Sequence, residues 1–302
     1  MKYANIHLIV FLLFFSIKLE EKNHNEIKEK KMKEEWLLIE NGALTPAINM
    51  AIDEKLTDWH REKKLPPILR FYEWAPAGLS VGYFQRTDGK INKENVKKHG
   101  FEMVRRQTGG QAVLHDHELT YSFVIDEKHP SIPKTILSAH KTISEALLMG
   151  LNELNVAADF AEPIKKHSQG TAICFEEPSW YEITWQQKKL IGSAQARLQG
   201  VLLQHGSIPL TQNEDVLFDL FIFANEKIRE RMKRAFSKKA VGLYEALQEE
   251  IDIKTVRRAF QKGFEAKFNI SLKNYTFSKK EWEEIEKLAK QKYENADYVL
   301  MR

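Results

Sequence analysis

Residues 105–115 read Arg105-Arg106-Gln107-Thr108-Gly109-Gly110-Gln111-Ala112-Val113-Leu114-His115, between two segments with the pattern of strands. Adjacent glycines let the backbone approach a ligand closely, and their N–H groups can point at one oxygen atom. The two arginines before them are suited to hold a phosphate. The spacing Gly-x-Gly-x-x-Gly is absent and no helix opens here, which argues against a dinucleotide-binding turn. A plain glycine turn with its arginines in solvent remains the alternative to a ligand-binding turn.

Around this stretch, short strands alternate with amphipathic helices. Thr45 followed by Pro46 predicts the start of a helix, and apolar residues at helical spacing continue it to about Lys63. The strongest helical stripe lies between Lys134 and Asn155. Strands are predicted at residues 36–40, 68–74, 79–84, 101–105 and 119–125, with a short helix at 92–99.

A second group of strands precedes a helical region. Residues 180–185, 189–198 and 201–208 are predicted strands, and turns at Gln186-Gln187 and Gln199-Gly200 make them an antiparallel meander. After Pro209, helices are predicted near residues 225–236, 241–249, 254–268 and 280–293. The sequence therefore predicts an α+β fold, with a mixed, largely antiparallel sheet flanked by helices and a helical C-terminal region.

The chain has one cysteine, Cys174. Lys189 follows it at the start of the predicted strand 189–198. A lone thiol cannot form an intramolecular disulfide, so it is core filler, a ligand or a nucleophile. The thiolate is the reactive form of cysteine, and a nearby ammonium stabilises it. A buried inert cysteine and a solvated lysine are the alternative interpretation.

Three histidines, His115, His117 and His205, raise the question of a metal site. The pair His115-x-His117 lacks a matching cluster of Cys or Asp, so we predict no metal. Neither a P-loop nor a Gly-x-Ser-x-Gly nucleophile turn is present.

Composition excludes some classes of protein. The 302 residues are 43% hydrophobic and 29% charged, the balance of a soluble globular protein. The net charge of +4 is too diffuse to predict nucleic-acid binding, but it is compatible with an acidic protein partner. One cysteine fits a reducing compartment, so we predict a cytoplasmic protein.

The N-terminal 31 residues differ from the rest. Leu8 to Phe15 resembles the core of a signal peptide, but it is too short to span a bilayer, which needs about 20 apolar residues. A Lys/Glu-rich run follows, without a cleavage pattern. We expect Met32 to be the true start and residues 1–31 to be an over-extended reading frame outside any domain; a tethered membrane anchor is the alternative. We then expect residues 32–210 to form the main domain and 211–302 to form a helical region packed on it.

Two segments of this chain resemble the signatures of the lipoate–protein ligase and octanoyltransferase superfamily. One is residues 105–115 and the other is Lys189 with Gly192-Ser193-Ala194-Gln195. The segment from Cys174 to Glu182 is similar to the nucleophile segment of LipM-type octanoyltransferases, and residues 203–207 to their next strand. Gln111 departs from the third glycine of the ligase signatures. The resemblance begins at about Trp36 and implies a biotin/lipoate–protein ligase-like catalytic domain that works without metal, ATP or another cofactor.

The resemblance also implies an activity and its residues. Octanoyl would move from octanoyl-acyl carrier protein to a lysine of a lipoyl domain, such as glycine cleavage system protein H. Cys174 would be the acyl-thioester nucleophile, and Lys189 would lower the pKa of the thiol and accept a proton. The enzyme would be a monomer that binds no nucleic acid and no membrane stably. The implied acyl- and substrate-binding residues are Arg105, Arg106, Thr108, Gly109, Gly110, His115, Gly192, Ser193, Ala194, His205 and Gly206.

Three other activities remain open at this point. An amidotransferase would move octanoyl between lipoyl domains through the same acyl-cysteine. An ATP-dependent lipoate–protein ligase would share the two superfamily signatures. A non-catalytic module would bind an acyl group or a lipoyl domain without forming an acyl-enzyme.

Overall fold

The computed structural model describes residues 33–161 and 182–301, and the chain from Glu35 onward forms one structural unit. The strands are β1 (Glu34–Leu44), β2 (Ile68–Trp74), β3 (Gly78–Val81), β4 (Glu102–Arg105), β5 (Val113–His115), β6 (Glu118–Asp126), β7 (Asp159–Phe160), β8 (Ile183–Trp185), β9 (Lys188–Leu198), β10 (Val201–Pro209) and β11 (Ile270–Asn274). The helices are α1 (Pro46–Arg61), α2 (Lys93–Lys98), α3 (Ile136–Glu153), α4 (Glu214–Asp219), α5 (Glu226–Ser237), α6 (Leu243–Leu247), α7 (Ile253–Phe268), α8 (Lys279–Leu288) and α9 (Ala296–Val299). A π-helical turn, Ala289–Tyr293, continues α8.

The main sheet of the described residues has eight strands in the order β11-β1-β2-β6-β10-β9-β8-β7. β1 and β2 are parallel, and each neighbouring pair from β2 to β7 is antiparallel. The predicted meander is confirmed from Ile183 onward. Its turn residues Gln186, Gln187, Gln199 and Gly200 all have positive φ, the conformation that tight hairpin turns require. The predicted α+β class with a largely antiparallel sheet is therefore confirmed.

The two faces of the main sheet differ in character. On β6, Leu119, Tyr121 and Phe123 point to one face, where α3 and α7 cover them with an apolar core. The alternate residues Thr120 and Ser122 are buried on the other face, beneath α1. Because side chains alternate along a strand, one strand supplies both an apolar core and a buried polar surface.

A smaller sheet, in the order β4-β3-β5, lies beside the polar face. The loop after β3 and the glycine turn after β4 approach each other so closely that a Cβ on Gly82 would lie 2.0 Å from the carbonyl oxygen of Gly110. Glycine at position 82 is therefore required for this contact. An apolar cluster that includes Leu79, Phe218 and Phe236 joins the small sheet to α4 and α5.

The C-terminal region is less purely helical than predicted. Strand β11 follows α7 and joins the edge of the main sheet beside β1, and helix α4 is an additional short element. Asn269 ends α7 in the left-handed conformation, which turns the chain into the strand. Within the described residues, no helix combines the length and apolar character that crossing a bilayer demands.

Candidate active site

A cavity of about 250 Å³ lies over the polar face of the main sheet. Strands β2, β6, β10 and β9 form its floor, and α1, the small sheet and the glycine turn form its walls. The two signature segments, far apart in sequence, meet here. The residues that line it are Met50, Tyr72, Trp74, Ser80, Arg106, Gly110, Gln111, Val113, His115, Thr120, Glu182, Lys189, Gly192, Ser193, Ala194, His205, Gly206 and Ser207.

An irregularity in β9 brings Lys189 to this cavity. Ile183 pairs with Ile191, but the next residue, Thr184, pairs with Lys189, so Leu190 is an extra residue. Leu190 and Ile191 consequently both lie in the apolar core on the helix-covered face. Strict alternation would place Lys189 and Gly192 on opposite faces, whereas both line the cavity. A bulge re-aims a side chain in this way, and such bulges are common next to active sites.

Lys189 is held by contacts on its backbone and its side chain. Its N–H donates to the carbonyl of Lys239 at 2.7 Å, and its carbonyl accepts from the N–H of Val241 at 3.0 Å. The Lys189 Nζ donates to Glu182 Oε1 at 2.6 Å, and these two side chains are only 2% and 4% exposed. A buried ammonium in this setting is well placed to act on the charge of a neighbouring reacting group.

His205 is fixed by a chain of buried hydrogen bonds. Its Nδ1 lies 3.1 Å from Asp53 Oδ2, and its Nε2 lies 2.7 Å from Thr108 Oγ1. Burial lowers the pKa of His205, although the hydrogen bond to Asp53 acts in the opposite direction. For Asp53, burial would raise the pKa, but the hydrogen bond with His205 and the charge of Arg70 outweigh it and keep the pKa below its usual value. The carboxylate therefore orients a neutral imidazole, which in turn holds the glycine turn through Thr108.

His115 belongs to a second buried network. Its Nδ1 lies 2.8 Å from Glu118 Oε1, and its Nε2 lies 2.7 Å from Ser80 Oγ. The Trp74 ring stacks on the imidazole at 4.0 Å between centroids, with 8° between the planes. Glu118 also accepts hydrogen bonds from Thr120 and Ser207. His115 and His205 thus bind separate carboxylates, and among the described residues no group of three His, Cys, Asp or Glu side chains is arranged to hold a metal.

The two arginines of the first signature take different positions. Arg106 lines the cavity, and its Nη2 donates to the carbonyls of Gly109 and Gln111, each at 2.8 Å. Arg105 is fully buried outside the cavity, where it donates to backbone carbonyls of the loop after β3 and of α9. Arg105 therefore bonds to the protein's own backbone and stabilises the loop after β3 on the side away from the cavity.

Glycine residues and a histidine shape the cavity near Lys189. A Cβ on Gly206 would lie 2.6 Å from the carbonyl oxygen of Gly192 and 2.7 Å from Ser193 Oγ, so this position excludes a side chain. His140, on α3, lies close enough to the backbone of Ser193 and to Lys189 for both to affect its pKa. Burial lowers the pKa of His140, and the charge of Lys189 lowers it further, against the effect of the Ser193 backbone. No sequence pattern distinguished His140 from the other histidines.

The structure brings together most of the predicted site residues. Besides Lys189, eight of the predicted binding residues line the cavity: Arg106, Gly110, His115, Gly192, Ser193, Ala194, His205 and Gly206. Arg105, Thr108 and Gly109 do not line it. Cys174 lies outside the described residues.

The family profile described as "Lipoyl protein ligase A/B catalytic domain" matches residues 45–265, which include both signatures and every residue that lines the cavity. The chain belongs to this family.

Relatives in the family carry a narrower name. Proteins named "Octanoyltransferase LipM" from Geobacillus kaustophilus (strain HTA426) and Bacillus subtilis (strain 168) are each 46% identical over 276 residues. In both cases the match covers 89% of this chain and 99% of the relative. The two signatures and the cysteine segment predicted both the family and the subgroup. Similarity over nearly the full length of these relatives confirms that prediction.

Solved structures of the family share the fold. A bi-partite lipoate protein ligase from Thermoplasma acidophilum matches with a TM-score of 0.73 at 24% identity, covering 89% of this chain and 98% of that one. A lipoate-protein ligase A bound with ATP matches with a TM-score of 0.68 at 25% identity, covering 89% and 99%. The predicted lipoate ligase-like fold is confirmed.

Sequence reasoning missed four buried polar residues at the cavity floor. Thr120 and Ser207 line the cavity, and Asp53 and Glu118 lie behind its lining. A signal for Glu118 and Thr120 was present, because in β6 the polar residues 118, 120 and 122 alternate with apolar 119, 121 and 123. In a strand buried on both faces, such alternation indicates a polar face that needs partners or a ligand.

Proposed function

We propose that this chain is an octanoyltransferase of protein lipoylation. It moves octanoyl from octanoyl-acyl carrier protein to a lysine of a lipoyl domain, such as glycine cleavage system protein H, through an acyl-Cys174 intermediate. The observation that carries the proposal is Lys189, buried in the wall of a cavity built from both family signatures. The 46% identity to octanoyltransferases across nearly their full length supports the acyl group.

In the first half-reaction, the Cys174 thiolate attacks the thioester carbonyl carbon of the donor. The bond from this carbon to the carrier sulfur breaks, and octanoyl becomes bound to the Cys174 sulfur. Lys189 gives its proton to the departing carrier thiolate. One thioester replaces another, so this step needs no ATP, and a covalent intermediate divides the transfer into two accessible steps.

In the second half-reaction, the amine of the acceptor lysine attacks the acyl-cysteine. Lys189, now neutral, accepts the proton that the amine loses as the amide forms, and Cys174 leaves as a thiolate. The thiolate–ammonium pair is thereby restored. Backbone N–H groups of the segments 109–110 and 192–194 are the proposed donors to the oxyanion in both steps.

Glu182 supports the proposed role of Lys189. Its carboxylate accepts a hydrogen bond from the Nζ at 2.6 Å, which favours the ammonium form in a buried place where a neutral amine would otherwise be preferred. The positive charge proposed to hold the resting thiolate is therefore that of the Lys189 ammonium, which Glu182 keeps protonated. We place the reaction in the cytoplasm, where a free thiol stays reduced.

Intact-mass measurement tests this proposal. Incubation with octanoyl-acyl carrier protein should add one octanoyl group to the enzyme, and hydroxylamine should remove it. Cys174→Ala should carry no such adduct and transfer no octanoyl to the acceptor. Full transfer by Cys174→Ala would rule out the acyl-cysteine route.

The donor separates the alternative activities. An octanoylated lipoyl domain that acylates the enzyme faster than octanoyl-acyl carrier protein would identify an amidotransferase. Transfer that requires free octanoate or lipoate together with ATP would identify a ligase. Binding of a lipoyl domain without an adduct from any donor would identify a non-catalytic module.

A further inference from the structure

His205 connects the two segments that are proposed to supply the oxyanion donors. On β10 it is directly opposite Ala194 of β9, which belongs to the segment 192–194. Its imidazole bonds to Thr108, the residue before the segment 109–110. One histidine therefore joins both donor segments, to the first by strand pairing and to the second by its side chain.

The chemistry of the partners fixes the direction of both hydrogen bonds of this imidazole. The carboxylate of Asp53 only accepts, so His205 Nδ1, at 3.1 Å, carries a proton. Burial favours the neutral imidazole, whose other nitrogen then has a lone pair. His205 Nε2 therefore accepts from the Thr108 hydroxyl at 2.7 Å.

The carboxylate that selects this tautomer is itself rigidly held. Asp53 Oδ1 accepts from Arg70 Nη1 at 2.8 Å, and Oδ2 also accepts from the Tyr72 hydroxyl at 3.3 Å. The side chains of Asp53 and Arg70 are 2% and 0% exposed. Arg70 also donates to the carbonyl and the side chain of Asn49 on α1. A buried network whose members are all bonded is rigid, so the imidazole has a fixed orientation.

The other end of the chain of bonds is anchored as well. Thr108 is fully buried, and its carbonyl accepts from the Tyr83 N–H at 2.8 Å. The glycine turn is thus attached to β10 through a side chain and to the loop after β3 through the backbone. The two glycines that follow carry no side chain of their own, so Thr108 and Arg106 set where their N–H groups lie.

Acid, imidazole and hydroxyl have the order of a catalytic triad, but the geometry favours a different role. In a triad the hydroxyl attacks the substrate and the imidazole takes its proton. Thr108 does not line the cavity, so its hydroxyl cannot reach a substrate there. His205 does line it, but both of its ring nitrogens are bonded to protein side chains. The ring has no free lone pair to offer a reacting group.

We propose that Asp53, His205 and Thr108 are positioning residues that set the two oxyanion-donor segments relative to each other, and that His205 transfers no proton. This inference rests on the proposed acyl transfer. Asp53 fixes the tautomer, His205 spans the space between β10 and the glycine turn, and Thr108 holds the turn. The three residues act on the reaction through the backbone of the donor segments.

Single-turnover acylation of Cys174 by octanoyl-acyl carrier protein tests the proposal. Thr108→Val and His205→Leu each remove the bond between these residues, so the rate at saturating donor should fall about tenfold or more, since misplaced donors stabilise the oxyanion poorly. The donor concentration that gives half the maximal rate should stay near the wild-type value, because oxyanion donors act on the transition state.

Conservative variants separate positioning from proton transfer. Thr108→Ser keeps the hydroxyl, and His205→Gln keeps one donor and one acceptor but cannot act as a base, so both should recover most of the rate. The double variant Thr108→Val with His205→Leu should be no slower than the slower single variant, because both remove the same link. His205→Gln as slow as His205→Leu, or effects that multiply in the double variant, would overturn the inference.

Nitrogen NMR of the wild-type imidazole gives a readout that needs no variant. His205 Nδ1 should carry the proton and Nε2 should not, and the reverse tautomer would contradict the proposal. If wild type forms no acyl-Cys174 from any thioester, the proposed function itself fails. If wild type is acylated and folded Thr108→Val is acylated at the same rate, only the positioning inference is wrong. Circular dichroism and the unfolding midpoint establish that each variant is folded.

Discussion

At the scale of single residues, Lys189 depends on its surroundings for its position and its charge. Its backbone is anchored to residues 239–241, and the extra residue Leu190 turns its side chain to the cavity. Its partner Glu182 is equally buried. Removing one member of such a pair leaves an uncompensated charge, so the stability effect and the chemical effect of a mutation must be separated.

A double mutant separates these effects. Lys189→Met should lower the free energy of unfolding by about 3–5 kcal/mol, because Glu182 is left buried without its cation. Lys189→Met combined with Glu182→Gln should recover most of that stability, since no buried charge remains. Octanoyl transfer should stay low in both. Urea denaturation and transfer assays on the same samples provide the measurements.

Recovery of activity together with stability would contradict the chemical role, because the double mutant has no amine at position 189. Glu182→Gln alone is the matched control. It keeps the amine of Lys189 beside the cavity but removes the carboxylate that favours its ammonium form, so it should transfer octanoyl less well than wild type and better than either variant that lacks Lys189.

At the scale of elements, helix α5 presents a basic stripe next to the site. Lys227, Arg231, Arg234 and Lys238 are exposed and recur at helical spacing along one side of α5 and its C-cap. Arg234 lies 4.0 Å from Glu230, and the other three have no ion pair in the part of the chain that the structure describes. The residue after Lys238 binds the backbone of Lys189, so the stripe leads toward the cavity. Such a stripe suits an acidic acyl carrier protein.

Charge reversal on this stripe tests donor docking. Arg231→Glu with Arg234→Glu should raise KM for octanoyl-acyl carrier protein several-fold, because like charges oppose association. Acylation by a small octanoyl thioester should not change. Lys279→Glu with Lys280→Glu, two exposed residues of α8, is the control. High salt should reduce the difference in KM for octanoyl-acyl carrier protein between the two charge-reversal variants. Equal KM values for this donor in both variants at low salt would exclude the stripe as the donor-binding surface.

The helix layer contains a close crossing of α3 and α7. A Cβ on Gly263 would lie 2.4 Å from the carbonyl oxygen of Ala146 and 2.5 Å from the backbone nitrogen of Gly150. Two helices can approach this closely only where side chains are absent. The close approach of α3 and α7 on the apolar face of the main sheet therefore depends on a glycine pair.

Gly263→Ala should destabilise the fold by about 1–3 kcal/mol, because the methyl group forces the two helices apart. Helix propensity alone would make Gly263→Ala more stable by up to about 1 kcal/mol. Overpacking and helix propensity therefore predict opposite signs for the change in the free energy of unfolding. The urea midpoint measures the effect. Lys262→Ala, at an exposed neighbouring position, should shift it by less than about 1 kcal/mol.

At the scale of the whole molecule, buried histidines make the fold sensitive to acid. Burial lowers the pKa of His60, His140 and His205 from the ordinary value of 6.5. The unfolded chain therefore binds more protons than the folded chain below about pH 6.5. Stability is fully present above that pH and falls as the pH drops toward the lowered values. Carboxyl groups with a lowered pKa, such as that of Asp53, change the stability only at pH values near and below 3.8, the ordinary pKa of an aspartate.

Replacing one of these histidines should reduce the acid sensitivity. Each differential proton contributes about 1.4 kcal/mol per pH unit. His60 does not line the cavity, and its Nδ1 bonds to the carbonyls of Leu65 and Pro66. Between pH 6.5 and 5, the free energy of unfolding of His60→Gln should fall less steeply with pH than that of wild type. The two slopes should differ by the equivalent of at most one bound proton. Unfolding curves at several pH values give the slope, and parallel slopes would contradict this account.

Much of the element structure was predictable because its causes are local. Thr45 Oγ1 caps α1 by accepting from the Ile48 N–H at 3.4 Å, and Pro46 follows at the first helical position, as the sequence predicted. The hairpin turns of the meander fall at the glutamine and glycine residues that adopt positive φ. The two signature segments also gave the family, and they contain half of the residues that line the cavity.

Other features depend on long-range register, which local sequence does not contain. The sequence by itself determined the longer helices, the hairpins, the α+β class and the choice of Cys174 with Lys189 as the candidate chemistry. Only the tertiary structure decided that the extra residue Leu190 turns Lys189 into the cavity and that Arg105 points away from it. It alone placed β11 beside β1, and Asp53 and Glu118 behind the cavity floor. The physical reason is that a side chain's face and its partners are set when strands distant in the chain pair and buried polar groups must find hydrogen bonds.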